Sequence, residues 1–163
     1  MKIFKLFTIL CSLNLFLSCG VCLPKNLEFK NIQYFTPKSL ENIDTNSEYV
    51  CTSIYEADSN FKKLGESWDS SSKRSMKFNK NGFIEGVGMA INNKNEQAII
   101  YTKNGKLLID KIGGTQDHCK FIDTYKVKII GNKIYLLQFS GITNRKMCFE
   151  FQKIFRIKNI VQH

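Results

Sequence analysis

Histidine is scarce in this sequence, and its scarcity removes most catalytic arrangements from consideration. Only two histidines occur in 163 residues, His118 within GGTQDHC and His163 at the last position. A Cys119 nucleophile activated by His118 would need both side chains on one side, whereas adjacent residues of an extended chain point apart. His118 and Cys119 also lack the second ligand pair of a zinc site. We therefore expect no enzyme activity, no catalytic residue, no metal and no cofactor.

Acidic residues are also in deficit, with 14 Asp and Glu against 24 Lys and Arg. The lysines are spread over the whole chain, and no stripe of alternating basic and aromatic residues indicates a nucleic-acid partner. A basic surface that faces anionic membrane lipid or a cell-envelope polymer is the simpler interpretation.

Charge is nearly absent from residues 6–19, which follow Lys2 and Lys5. A basic start, a short apolar run and small residues at its end are typical of an export signal, and the run is too short for a membrane-spanning helix. Residues 1–18 are therefore predicted to be a signal peptide.

The end of this segment, LFLSC at residues 15–19, resembles the lipobox of bacterial lipoproteins. The resemblance implies that Cys19 receives diacylglycerol and becomes the acylated first residue after cleavage of the bond that follows Ser18. The protein would then be anchored to a membrane of the cell envelope through its N-terminal lipid, on the extracytoplasmic side. Ordinary signal cleavage after Gly20, which would give a secreted protein, and an uncleaved anchor are the alternatives.

The remaining cysteines suit an exported chain that forms disulfides. With Cys11 and Cys19 set aside, four cysteines permit three pairings, and the sequence alone does not choose among them. A bridge between Cys119 and Cys148 is favoured, because both lie at the edges of adjacent predicted strands; Cys22 would then pair with Cys51.

From residue 49 onward, apolar and polar residues alternate with period two, and Asn-Gly or Gly-Asn pairs separate several of the runs. This pattern predicts an all-β antiparallel meander of about eight hairpin-linked strands, closed into a small barrel. An open sheet or a two-sheet sandwich is the alternative. The predicted domain covers residues 48–158, between a tether or arm at 19–47 and a tail at 159–163. The predicted strands are 49–55, 75–79, 83–91, 96–102, 106–112, 124–130, 133–139 and 147–157.

The order of Trp68, MKFNKNGFIEG, AIIYTKNGKLLI, YKVKIIGNKIYLLQF and FEFQKIFRI is similar to that of small bacterial lipocalin-like domains. The resemblance covers residues 49–158 and implies a barrel that holds a small apolar ligand in a cavity larger than about 300 Å³. The family's Gly-x-Trp signature is replaced here by GESW, which contains one residue more.

Four residues are candidates for contact with a ligand or partner. Trp68, in a predicted loop at 56–74, could cover the barrel mouth or touch a partner. Glu85 would either point outward or orient a ligand. Gly86 and Gly88 belong to a row of small residues that permits close backbone approach, strand coiling or room for a ligand.

Together these features predict an exported, lipid-anchored, non-enzymatic β domain that binds a small apolar ligand or an envelope component. The first alternative is an envelope interaction or structural protein that docks through the 56–74 loop. The second is a soluble secreted binding protein.

Intact mass spectrometry of the mature protein tests the N-terminal prediction. We expect an acylated chain that begins at Cys19, and a mass increase of about 2 Da per disulfide on reduction. A mature chain that begins at Val21 would show that no lipid anchor is attached.

Overall fold

The computed structural model describes residues 29–68, 74–86, 98–114, 120–138 and 146–154. The chain divides into two compact units, one of residues 1–27 with 114–121 and the other of residues 28–113 with 122–163. All the strands described below lie wholly or mainly in the second unit.

The described residues form nine strands in one sheet, and no α-helix occurs among them. One strand is new, the strand predicted at 124–130 begins at Lys120, and Gly86 of a predicted strand is not in one. Residues 87–91, 96–97, 139 and 155–157 of the predicted strands lie outside the described residues, and the other bounds agree within two residues. The strands are β1 (Glu48–Ala57), β2 (Lys63–Trp68), β3 (Ser75–Phe78), β4 (Phe83–Glu85), β5 (Ala98–Lys103), β6 (Lys106–Gly114), β7 (Lys120–Ile130), β8 (Lys133–Gln138) and β9 (Lys146–Ile154).

Strand β1 closes the sheet into a barrel. It pairs antiparallel with β9 over its whole length, from Glu48 opposite Ile154 to Ala57 opposite Lys146. On its other edge, the first three residues of β1 pair with β3, and its second half pairs with β2. The remaining strands follow in chain order, so β1 and β3 to β9 form an eight-stranded meander barrel and β2 is an extra strand. The predicted all-β barrel is confirmed, and the alternatives of an open sheet and a two-sheet sandwich are wrong.

The space inside the described strands is filled by apolar side chains. Met76, Ile100 and Ile109 are fully buried, and each barrel strand contributes at least one residue to the same core cluster. The inward residues are Tyr49, Cys51, Ile54, Met76, Phe78, Ile84, Ala98, Ile100, Ile109, Tyr125, Val127, Ile134, Leu136, Phe149 and Phe151. This part of the barrel is therefore a packed core, unlike the ligand cavity that the lipocalin resemblance implies.

The strand β2 corrects the prediction of a loop at 56–74. All six residues of β2 are exposed, so the sequence KLGESW shows no alternation between a buried and a solvated face. Strand recognition from sequence depends on that alternation, and Gly65 further lowers the strand propensity. The strand forms because its backbone pairs with the second half of β1.

The segment ahead of β1, predicted as a tether or arm, packs against the barrel from residue 29 onward. It contains two 3₁₀ helices, Lys30–Tyr34 and Pro37–Leu40, with Pro37 at the first helical position. Leu40 and Ile43 join the barrel core, and Phe29 packs on Ile99 and Tyr101. Since Ile99 and Tyr101 flank the inward Ile100, this last contact lies on the outer face of β5.

A buried carboxylate fixes the first 3₁₀ helix to that outer face. Asp110 is 1% exposed and accepts hydrogen bonds from Asn31 Nδ2 at 2.7 Å, Thr124 Oγ1 at 2.7 Å and Tyr101 Oη at 3.0 Å. Three donors from three separate chain segments satisfy the carboxylate, as a buried charged group requires. The segment is held by hydrogen bonds in addition to apolar contact.

Replacing this carboxylate should destabilise the whole domain. Asp110→Ala removes the acceptor of the buried Tyr101 hydroxyl and of the half-buried Asn31 and Thr124 donors, so we expect a loss of about 2–4 kcal/mol in the free energy of unfolding by urea. Glu66→Ala removes an equal charge from the exposed strand β2 and should change it by less than about 0.5 kcal/mol. Equal stability of the two variants would contradict the role given to Asp110.

Candidate functional site

The turn between β1 and β2 has a phenylalanine, Phe61, at a position where the backbone is left-handed. Asp58 Oδ1 accepts hydrogen bonds from the backbone N–H groups of Asn60 at 2.8 Å and Lys62 at 2.9 Å. The backbone N–H of Phe61 donates to the carbonyl of Asp58 at 3.1 Å, and Phe61 has a φ of 68°. A left-handed residue after a tight turn is typical of three-residue hairpin loops, but glycine or asparagine usually occupies it. Phenylalanine in a left-handed conformation costs backbone energy, so the contacts of its ring must offset that cost.

The Phe61 ring packs on the outer face of the barrel. Ile54 and Phe149 pair across β1 and β9 and point into the core, so the next pair, Tyr55 and Cys148, points outward. Phe61 packs against a small apolar cluster on this outer side, made of Tyr55, Ala57, Leu137 and Cys148. The hairpin therefore folds over the outer face instead of extending into solvent.

Two lysines of β7 hold the hairpin in that position. The ammonium groups of Lys126 and Lys128 lie 5.4 Å and 5.8 Å from the centroid of the Phe61 ring, within range of cation–π attraction. Lys126 Nζ also donates a hydrogen bond to the carbonyl of Ser59 at 3.0 Å. The turn is thus attached to a strand that is three positions away from β1 around the barrel.

A groove of about 280 Å³ lies between the hairpin and the outer face of the barrel. We call it the hairpin groove. Its lining combines aromatic rings, hydroxyl groups and charged side chains from β1, β2, β7, β8, β9 and the turn. The residues are Ser53, Tyr55, Phe61, Lys63, Ser67, Lys128, Ile130, Tyr135 and Glu150.

The hairpin groove is electropositive. Its one acidic residue, Glu150, accepts an ion-paired hydrogen bond from Lys133 Nζ at 2.6 Å. Lys63 donates to Ser67 Oγ at 2.6 Å and lies 5.7 Å from the Tyr55 ring centroid. In the described part of the chain neither Lys63 nor Lys128 forms an ion pair with a carboxylate, so both positive charges remain available to a ligand.

The two tyrosines that line the groove, and the Cys148 thiol in contact with Tyr55, stay neutral at physiological pH. Burial raises the pKa of Tyr55, and its hydrogen bond with Cys148 raises it further. Burial also raises the pKa of Tyr135. The thiol of Cys148 is fully buried and its pKa rises to about 11, again mainly through burial. The phenols therefore remain hydrogen-bonding groups, and the thiol is a poor nucleophile because the thiolate is the reactive form.

Of the four residues predicted as ligand or partner contacts, the three that the structure describes do not line this groove. Glu85 is exposed and accepts a hydrogen bond from Asn79 Nδ2 at 2.9 Å. Gly86 has a φ of 78°, and a Cβ there would lie 2.7 Å from the carbonyl oxygen of Ser75, so it serves close backbone approach. Trp68 is 50% exposed at the end of β2, and Gly88 lies outside the described residues.

The predicted lipid and disulfide positions are only partly within the described ranges. Cys19, Cys22 and Cys119 lie outside them. Cys51 and Cys148 are both buried thiols, and the described part of the structure contains no disulfide. The proposed bridges to Cys22 and Cys119 therefore stay predictions.

Sequence reasoning missed Phe61, Lys63, Lys128 and Tyr135 as site residues. Lys128 and Tyr135 occupy outward positions of their strands, which a period-two pattern assigns to solvent, and Lys63 lies in the segment predicted as a loop. The detectable signal was Phe61 in DSNFKK, a large apolar residue directly after three residues that favour turns.

Other kinds of site find no support among the described residues. No group of three or more His, Cys, Asp or Glu side chains is placed to hold a metal ion. Over the same ranges, no helix is both long and apolar enough to cross a membrane. No family model, curated protein or solved structure matches the chain.

The strain at Phe61 can be measured with two substitutions. Phe61→Ala and Phe61→Gly both remove the ring, but only glycine adopts a positive φ without steric cost. We expect both variants to be less stable than the unsubstituted protein to urea, and the glycine variant to be more stable than the alanine variant by about 1 kcal/mol. An alanine variant as stable as the glycine variant would rule out a strained turn.

Proposed function

We propose that this protein is an exported, lipid-anchored, non-enzymatic barrel that binds a component of the cell envelope through its β1–β2 hairpin. The observation that carries the proposal is the contrast between the filled interior of the described barrel and the exposed, cationic hairpin groove on its outside. An apolar ligand within the described strands would have to displace packed side chains, each of which contributes burial energy.

The hairpin itself offers surface to a partner. Leu64 and Trp68 are 64% and 50% exposed, the highest and third highest values among the exposed large apolar residues of the described chain. Both belong to β2, which has only β1 as a neighbour in the described sheet. Exposed apolar residues beside a polar groove are characteristic of interaction sites, and tryptophan is frequent among residues that dominate binding energy.

Location in the envelope rests on the sequence. The lipobox-like segment supports attachment of lipid to Cys19, and two or three acyl chains would hold the protein firmly at a membrane, since each buried methylene contributes about 0.8 kcal/mol. Without Lys2 and Lys5 of the predicted signal peptide, 22 Lys and Arg remain against 14 Asp and Glu, and this net charge of +8 favours a position beside anionic lipid or polymer.

Co-sedimentation with isolated cell envelopes tests the proposal. The full chain with Cys19→Ala cannot receive the lipid, and envelopes extracted with detergent offer no membrane, so retention then reports binding by the protein itself. Adding Leu64→Ser and Trp68→Ser should lower the sedimenting fraction at least about fivefold, because the apolar contacts of the hairpin are lost.

A matched control places the same kind of change elsewhere. Ile32 and Ile154 are each 38% exposed and lie outside the hairpin, and serine at both positions should leave sedimentation unchanged. Equal sedimentation of the hairpin variant and the unsubstituted chain, or loss only in the control, would overturn the proposal.

A further inference from the structure

We infer that the hairpin groove binds an acidic sugar unit, a single ring with hydroxyl groups and one carboxylate or phosphate. The inference rests on the proposed function and names the chemistry of the ligand. It follows from three properties of the groove: its volume, its uncompensated charge and its hydroxyl groups.

The volume limits the ligand to a small molecule or to one unit of a polymer. At about 280 Å³ the groove lies just below the range of cavities that hold drug-sized ligands. Because it opens on the outer surface of the barrel, between the hairpin and β7 to β9, the ligand can remain attached to a longer chain.

The charge of the groove selects an anion. Lys63 reaches it from β2 and Lys128 from β7, on opposite sides, and Glu150 is already paired with Lys133. Lys63 Nζ uses one of its three donor positions for Ser67 Oγ, which leaves donors for a bound anion. A carboxylate or phosphate between these lysines would accept charge-assisted hydrogen bonds, which are stronger than those between neutral groups.

The remaining lining suits a hydroxylated ring. The hydroxyl groups of Ser53, Ser67 and Tyr135 can each donate and accept, as sugar hydroxyls also can, whereas the Tyr55 phenol, which donates to Cys148, can accept. The tyrosines keep their protons, since burial raises both pKa values. Phe61 and Ile130 supply the apolar surface that covers the carbon face of such a ring. A wholly apolar ligand would instead cover these polar groups without satisfying them, at a cost.

Calorimetric titration of the full chain tests the inference with five probes: glucuronate, glucose 6-phosphate, glucose, and the simple anions acetate and inorganic phosphate. We expect the two acidic sugars to bind, with affinity that falls as salt concentration rises. Glucose and the simple anions should bind at least about tenfold more weakly, because each offers only part of the recognised chemistry.

Three single variants locate the binding. Lys63→Gln and Lys128→Gln should each weaken the binding of glucuronate about fivefold or more, since each removes one cation from the groove. Lys103→Gln is the matched control: Lys103 also lies over an aromatic ring, 4.7 Å from the centroid of Tyr34, but does not line the groove. It should bind glucuronate as the unsubstituted chain does.

Each contrary result has a definite meaning. Equal binding of glucose and glucuronate would overturn the role of the anion, and equal binding of acetate or phosphate would overturn the role of the sugar. Absence of binding by every probe would overturn the inference. If envelope sedimentation still depended on Leu64 and Trp68 in that case, the proposed function would stand without it; if not, both would fail.

Discussion

The length of β1 is the constraint on which both the barrel and its surface site depend. Nine of the ten residues of β1 pair with β9, with an irregularity only at Thr52, and this pairing closes the barrel. Strand β3 has only four residues and pairs with just the first three of β1. The second half of β1 therefore has an edge that β3 does not cover, and an uncovered edge attracts further pairing. Strand β2 occupies that edge, and the hairpin exists because the two neighbours of β1 differ in length.

Because side chains alternate along β1, the strand contributes both to the core of the barrel and to the groove on its outer face. Ile54 points into a core that is filled, whereas Tyr55 points outward beneath the hairpin. The Phe61 ring holds the hairpin against this outer face, because it packs there between the turn and the lysines of β7. A left-handed phenylalanine costs backbone energy, and the ring contacts offset that cost. The groove is thus a product of the same packing that fixes the hairpin.

The sequence was sufficient to predict the barrel, because the alternation along most strands and the Asn-Gly or Gly-Asn pairs at three of the turns are local signals. Asn104 and Gly105, for example, both have positive φ and connect β5 to β6 as an Asn-Gly hairpin should. The extra strand β2 could not be predicted in this way, because its residues are all exposed and its pairing partner is the far half of β1.

The groove was equally hidden from sequence reasoning. Its side chains come from five strands and a turn, and the outward positions of a strand are indistinguishable from ordinary solvated ones until the hairpin is seen to cover them. The lipocalin resemblance predicted a ligand in the interior, but Ile84 and Ala98 belong to a packed core there. Residues such as Lys128 acquire a role only through tertiary structure.

The central claim is that binding takes place on the outside of the barrel and leaves its interior unchanged. Methyl-labelled NMR spectra of the full chain, recorded during titration with glucuronate, test this claim most directly. Ile130 lines the hairpin groove, whereas Ile100 and Ile109 are fully buried in the core. The account predicts that the Ile130 methyl resonance shifts with ligand concentration and that those of Ile100 and Ile109 do not. Shifts at Ile100 and Ile109 with none at Ile130 would place the ligand inside the barrel and contradict the account.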